Sequence, residues 1–345
     1  MVGVDKELSS KIANMSFICA LFVVLIHCPK VSSEIGGGVA LIHNYLPGAF
    51  TPIVNAFFFI VSGFFLAAHI MKRGWWKREL SKRIDSLIIP YLFLNGVLFV
   101  TLVVYQWPNV RYPNTATAFY WVDILRPFGL YGTENPINGP LWFVRSLMLF
   151  VISLPVYEFL ICRKNVAYAL CLLLLLFNCF GLWDLILPDV FLRIYRPQWL
   201  VFFFAGIVLR LYGIPEISRV AGCWLVFTGF VVSCVLKSGV IEDAFWVEAI
   251  NWVNMICLIQ GFFSVVSTGR WPGVFTRNSF AIYVLHWPLI DASYIIFGKT
   301  GVYDRVFGSV VLSVLYLFAV VMVTIITGEL VRRNEILSRL VLGGR

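Results

Sequence analysis

Two histidines, His27 and His286, have the side-chain chemistry best suited to moving a proton. A neutral imidazole is a proton acceptor near pH 7, and both residues lie in strongly apolar stretches, VVLIHC and YVLHWP. A titratable side chain inside hydrocarbon costs about 2.5–3.5 kcal/mol on insertion scales, so it needs a partner or a purpose. His27 stands fifteen residues beyond the start of its apolar run, roughly 22 Å of helical rise. That predicts the outer third of a membrane, where an interfacial ring reaching headgroup water and a functional base are both open readings. His286 stands ten residues into its run, roughly 15 Å up and near the midplane. There the choice lies between a histidine bonded to a neighbouring helix and a functional one, and the second is favoured. His43, in IHNYLPG, is expected in a solvated outer loop, and His69 at an inner interface.

Cations form the second group. Arg145, in GPLWFVRSLMLF, is predicted about 10 Å below the outer end of a span. It has three readings: pairing with backbone, snorkelling outward, or lining a water-filled cavity that receives an anionic or hydroxylated ligand. Arg145 and the nearby Trp142 are the candidate substrate-binding residues. The stretch KRGWWKRELSKR (72–83) is densely basic. Its plain reading is positive-inside anchoring with interfacial Trp75 and Trp76. The sharper one is binding of a phosphorylated cytoplasmic substrate, since arginine matches phosphate geometry. Arg78, Lys82 and Arg83 are the candidates, and Arg83 directly precedes IDSLIIPYLFLN. The eight cysteines show no C-x-x-C spacing, so neither a metal site nor a disulfide framework is indicated.

The elements that must position these residues follow from composition. The 345 residues are 60% hydrophobic and only 13% charged, with a mean hydropathy of +0.87. Soluble domains carry roughly 25% charged residues, so a soluble globular domain is excluded. Apolar runs long enough to cross a core of about 30 Å recur throughout, and helices are the spanning element that fits. The predicted fold is all-α: one integral membrane domain over 1–345, a polytopic bundle of about ten transmembrane helices. The predicted spans are 12–28, 48–70, 86–106, 139–161, 166–183, 197–213, 219–236, 245–266, 276–297 and 307–331. The run at 12–28 is followed by Pro29-Lys30 rather than a small-residue cleavage site, so it reads as a retained helix. With both termini cytoplasmic, eighteen of the 27 lysines and arginines fall inside and eight outside, leaving Arg145 within a span. That asymmetry accounts for the net charge of +9 without a nucleic-acid partner. It also implies contact with anionic membrane lipid. The outer loop 107–137 is aromatic-rich, which suits either sugar stacking or an interfacial belt.

Six blocks, in order along the chain, resemble signature segments of acyltransferase family 3, the integral membrane O-acyltransferases. They are SFICALFVVLIH (16–27), FFFIVSGFFL (57–66), KRIDSLIIPYLFLN (82–95), PLWFVRSL (140–147), PQWLVFFFAGIVL (197–209) and SFAIYVLHWPLI (279–290). The resemblance is closest to compact members that modify glycans. It implies transfer of an acyl group, usually acetyl from cytoplasmic acetyl-CoA, to a hydroxyl of a cell-surface carbohydrate or its lipid-linked precursor. It further implies the inner membrane of a bacterium. The family pairs an arginine with a histidine in the first span; His27 matches the histidine, whereas Ser16 stands at the arginine position. Arg83 matches a basic position at the third span, and Ser86 stands where some members have a second arginine. His286 and Arg145 match positions in typical family segments.

In the mechanism this implies, His27 acts as base, either directly on the hydroxyl or through an acyl-imidazole. Arg83, helped by Arg78 and Lys82, holds the CoA phosphates. Arg145 and His286 line the cavity and polarise the carbonyl or position the acceptor. A transporter or flippase for a small polar or sugar-like substrate is the alternative, although no internal repeat supports it. A membrane sensor is the third reading.

Overall fold

The computed structural model describes residues 3–28, 33–70, 72, 74–106, 125–131, 135–237, 240–241 and 243–344, without the side chains of 33–49, 51–52, 102–106 and 304. Most of the aromatic stretch 107–137, and the His43 side chain, lie outside the described residues. The described residues form helices with no strand.

The long helices are α1 (Lys6–His27), α2 (Ser33–Ile70), α3 (Trp75–Arg83), α4 (Ile89–Gln106), α5 (Trp142–Ile161), α6 (Lys164–Cys179), α7 (Leu200–Tyr212), α8 (Arg219–Lys237), α9 (Ala244–Val265), α10 (Ser279–Thr300) and α11 (Val310–Arg332). A π-helical segment, Ile84–Ile88, joins α3 to α4. Each of the ten predicted spans therefore falls on helix. Seven described segments are long and apolar enough to cross a membrane, or eight if the short helix Asp189–Tyr195 and the helix Pro197–Tyr212, set at 42° to it, make one span. The chain is thus an integral multi-pass membrane protein. Two boundaries differ from expectation. α1 begins six residues early because Asp5 caps it, its carboxylate accepting from Leu8 N at 2.7 Å. The predicted loop before residue 48 is instead helical from Ser33 onward.

With lipid outside, helices associate through close packing, and small residues let backbones approach. α2 and α7 cross at Gly63 and Gly206. A Cβ on Gly63 would press on the Phe203 carbonyl, with its carbon at 3.0 Å; one on Gly206 would press on the Ile60 carbonyl, with its carbon at 2.8 Å. These glycines come from SGFFL and FFAGIVL, so that pair of sequence blocks encodes a backbone crossing. Around it lies a buried aromatic cluster that includes Phe59, Phe143, Phe150 and Phe203. α1 packs between α2 and α10, and α10 against α11. The C-terminal turn Ser338–Leu342 returns to the π segment, where Arg339 pairs with Asp85 at 2.6 Å.

Candidate active site

α1 ends at His27, and Cys28 turns into extended backbone. There the His27 ring meets the His286 ring of α10, with centroids 5.4 Å apart and planes at 29°. The two histidines picked from opposite ends of the sequence are neighbours.

His286 is fully buried. Its Nδ1 lies 3.0 Å from the Ile282 carbonyl one turn back. A carbonyl only accepts, so Nδ1 carries the hydrogen and Nε2 keeps a lone pair. That Nε2 is buried without a partner.

Pro288, two residues on, organises the rest. Proline lacks an N–H and cannot donate to the carbonyl four residues back, here Val284. The vacated acceptor is taken by Asn138, whose Nδ2 donates to Val284 O at 3.1 Å. That contact fixes the amide's orientation and leaves Asn138 Oδ1 buried and unpaired. Asn138 is itself held from behind: its N–H donates to Asn95 Oδ1 at 3.0 Å, and Asn95 Nδ2 donates to Tyr91 O at 2.8 Å. The adjoining Gly139 lies against the Trp287 ring, and Tyr283 OH donates to Pro140 O. Trp287 stands perpendicular to His27, centroids 4.9 Å apart, and its Nε1 is also buried without a partner. Two polar atoms without a partner among the described residues, the His286 Nε2 acceptor and the Trp287 Nε1 donor, therefore belong to rings that touch His27, and a third, Asn138 Oδ1, lies on the residue bonded to Val284 of the same helix. An unmet buried polar group costs about 1–3 kcal/mol, so this cluster is a place where a polar ligand is stabilised.

On the N-terminal side of the histidines lies a cavity of about 430 Å³, lined by Ser16, Arg83, Phe143, Arg277 and Tyr283 among others. Tyr283 is one turn from His286. The cavity shares Arg277 with a wider, polar one of about 830 Å³ that includes Lys6, Arg270 and Trp271. Arg83 has no hydrogen bond or ion pair among the described residues. Arg277 donates from Nε to Glu329 Oε1 at 2.8 Å and forms a second bond to Oε2, so α10 is tied to α11. Glu329 raises the Arg277 pKa above its ordinary value. The Ser16 hydroxyl turns back to Ile12 O at 2.7 Å. Ser16 thus opens onto the same cavity as Arg83 and Arg277 without supplying charge itself.

The other sequence candidates lie elsewhere. Lys82 pairs with Glu79 at 3.1 Å, and neither it nor Arg78 lines the Arg83 cavity. Arg145 is buried and joins the turn at Gly129 to the short helix Asp189–Tyr195, Nη1 donating to Gly129 O and Nη2 to Arg193 O at 2.8 Å. Trp142 carries the Arg196 guanidinium over its ring at 4.0 Å. Arg196 is the one non-glycine described residue with positive φ, +56°.

A family model described as an acyltransferase domain matches residues 12–329. The chain belongs to acyltransferase family 3. This acyltransferase is similar to the succinoglycan biosynthesis protein ExoH of Rhizobium meliloti, with 26% identity over 326 residues, covering 86% of this chain and 82% of that protein. No solved structure matches it.

The acyltransferase reveals four site residues that sequence reasoning missed: Asn95, Asn138, Trp287 and Arg277. The two asparagines carried a readable signal, since an amide inside or beside an apolar run needs a partner just as an ionisable group does.

Proposed function

We propose that this membrane acyltransferase moves an acetyl group from cytoplasmic acetyl-CoA to a hydroxyl of a cell-envelope glycan or its lipid-linked precursor, in a bacterial inner membrane. The observation that carries the reading is the pairing of His27 with His286 at 5.4 Å, one turn beyond the Tyr283 end of a cavity lined by Arg83 and Arg277. The relative in succinoglycan biosynthesis supports a polysaccharide acceptor.

In this reading the basic end of the bundle faces the cytoplasm, as the positive-inside rule favours. Arg83 and Arg277 hold the donor's phosphates with charge-assisted bonds, and Arg277 provides a cation where the first span has Ser16. The thioester arm then runs along the cavity past Tyr283. His27 removes the proton of the acceptor hydroxyl as its oxygen bonds to the thioester carbonyl carbon. The tetrahedral adduct collapses, the carbon–sulfur bond breaks, and the thiolate leaves with the proton. His286, held by Ile282, supplies a fixed lone pair beside the reacting groups.

The test is transfer of label from acetyl-CoA to envelope glycan by purified protein in vesicles. His27→Ala and His286→Ala should each lower transfer at least 100-fold, within the range of general-base contributions. Full transfer by His27→Ala, or passage of solute with no labelled glycan from the unaltered protein, refutes the reading.

A further inference from the structure

The mechanism above leaves the oxyanion of the tetrahedral adduct without a donor. Arg145, the sequence candidate for polarising the carbonyl, spends its Nη groups on the Gly129 and Arg193 carbonyls. Arg83 and Arg277 lie in the cavity that ends at Tyr283, a turn short of the histidines. Of the two rings that touch His27, His286 offers an unpaired acceptor and Trp287 Nε1 is the donor without a partner among the described residues. Its ring is set by contact with His27 on one side and with Gly139 on another. It also neighbours His286 in the chain, ahead of a proline that shapes this part of α10.

We propose that the Trp287 indole N–H is the oxyanion donor of the transfer reaction, a role that rests on the acyltransferase mechanism given above. As the hydroxyl oxygen bonds to the carbonyl carbon, the C=O π pair moves onto oxygen, and the indole N–H donates to that oxygen. The pair returns when the carbon–sulfur bond breaks. A preorganised donor in a site closed to water stabilises the transition state more than the ground state, so its removal acts on kcat. Nε1 is buried with no acceptor among the described residues, and in this role its acceptor is the substrate.

The test uses full-length protein in vesicles, labelled acetyl-CoA, and deacetylated envelope glycan from cells lacking the protein. Trp287→Phe keeps an aromatic ring against His27 and removes the N–H. It should lower kcat by about 10²- to 10³-fold, the loss seen on removing one oxyanion donor, with the acetyl-CoA KM and the thermal unfolding midpoint unchanged. Replacing Trp287 with benzothienylalanine, which substitutes sulfur for the N–H in a ring of the same shape, should give the same kcat loss and covers the case of a misfolded phenylalanine variant. A kcat within threefold of the unaltered protein in either folded variant overturns the proposal. A rise in KM with kcat unchanged also overturns it, because it assigns the indole to binding alone. If the unaltered protein labels no glycan, the acyltransferase mechanism itself falls, and the proposal with it.

Discussion

The contact between Asn138 and Val284 can be tested by a rescue. In Asn138→Leu the side chain keeps its approximate shape but loses Nδ2, which now donates to Val284 O at 3.1 Å. Pro288 cannot replace that donor, so the carbonyl is left buried and unmet at a cost of about 1–3 kcal/mol. Pro288→Ala restores a backbone N–H four residues along the helix from the same carbonyl. In the native background that N–H competes with Asn138 for an acceptor already satisfied. In the Asn138→Leu background it fills a vacancy, so the double variant should recover about 1 kcal/mol or more of what the single variant loses. Coupling of 0.5–3 kcal/mol is the range for residues sharing one hydrogen-bond network. The measurement is denaturant unfolding in detergent, followed by tryptophan fluorescence, across the four proteins of the cycle. Additivity within about 0.5 kcal/mol would show that the two residues do not share the Val284 carbonyl, and the account of how this site is oriented would fail.

Three further outcomes follow from the same geometry. Arg277→Gln should raise the acetyl-CoA KM roughly 10-fold or more, the worth of one hydrogen bond to a charged group, while kcat holds; initial rates over a range of donor concentration decide it. Gly206→Leu places a side chain where the Ile60 carbonyl now sits, and overpacking of this kind costs about 1–3 kcal/mol, read as a lowered unfolding midpoint. Arg145→Met removes the clasp on Gly129 and Arg193 and should expose the 125–131 and 189–195 segments to proteolysis, with cleavage patterns as the readout.

Residues whose burial in hydrocarbon is costly were the most legible in the sequence. His27 and His286 stood out because an imidazole in an apolar run demands explanation, and they meet in space. That most of the chain is long apolar helix was legible for the same reason, since long apolar runs have few other uses. The contact between the two rings was not, because it depends on how α1 packs against α10, which the residues of neither helix record alone. The partners of Arg145 were also hidden. Backbone carbonyls on distant segments leave no trace in side-chain spacing, whereas charged side chains do. Asn138 was hidden twice over: its function depends on the proline at 288, 150 positions away, and on a carbonyl that any residue at 284 would supply. Arg78 and Lys82 looked equal to Arg83 on charge, yet only Arg83 lines the cavity, a distinction set by which side of a helix each occupies.

The crossing at Gly63 and Gly206 bears on how the molecule changes shape. Where backbone rests on backbone, no flexible side chain lies between to take up a sliding motion, so α2 and α7 move as one body. Any rearrangement that admits a bulky acceptor to His27 therefore falls to the opposite wall, α10 and α11. That wall carries the interruption at Pro288 and the Arg277–Glu329 tie, which makes it the part of the protein fitted to act as a gate. Cross-links across α2 and α7 should leave turnover intact, whereas cross-links from α10 to α1 should stop it.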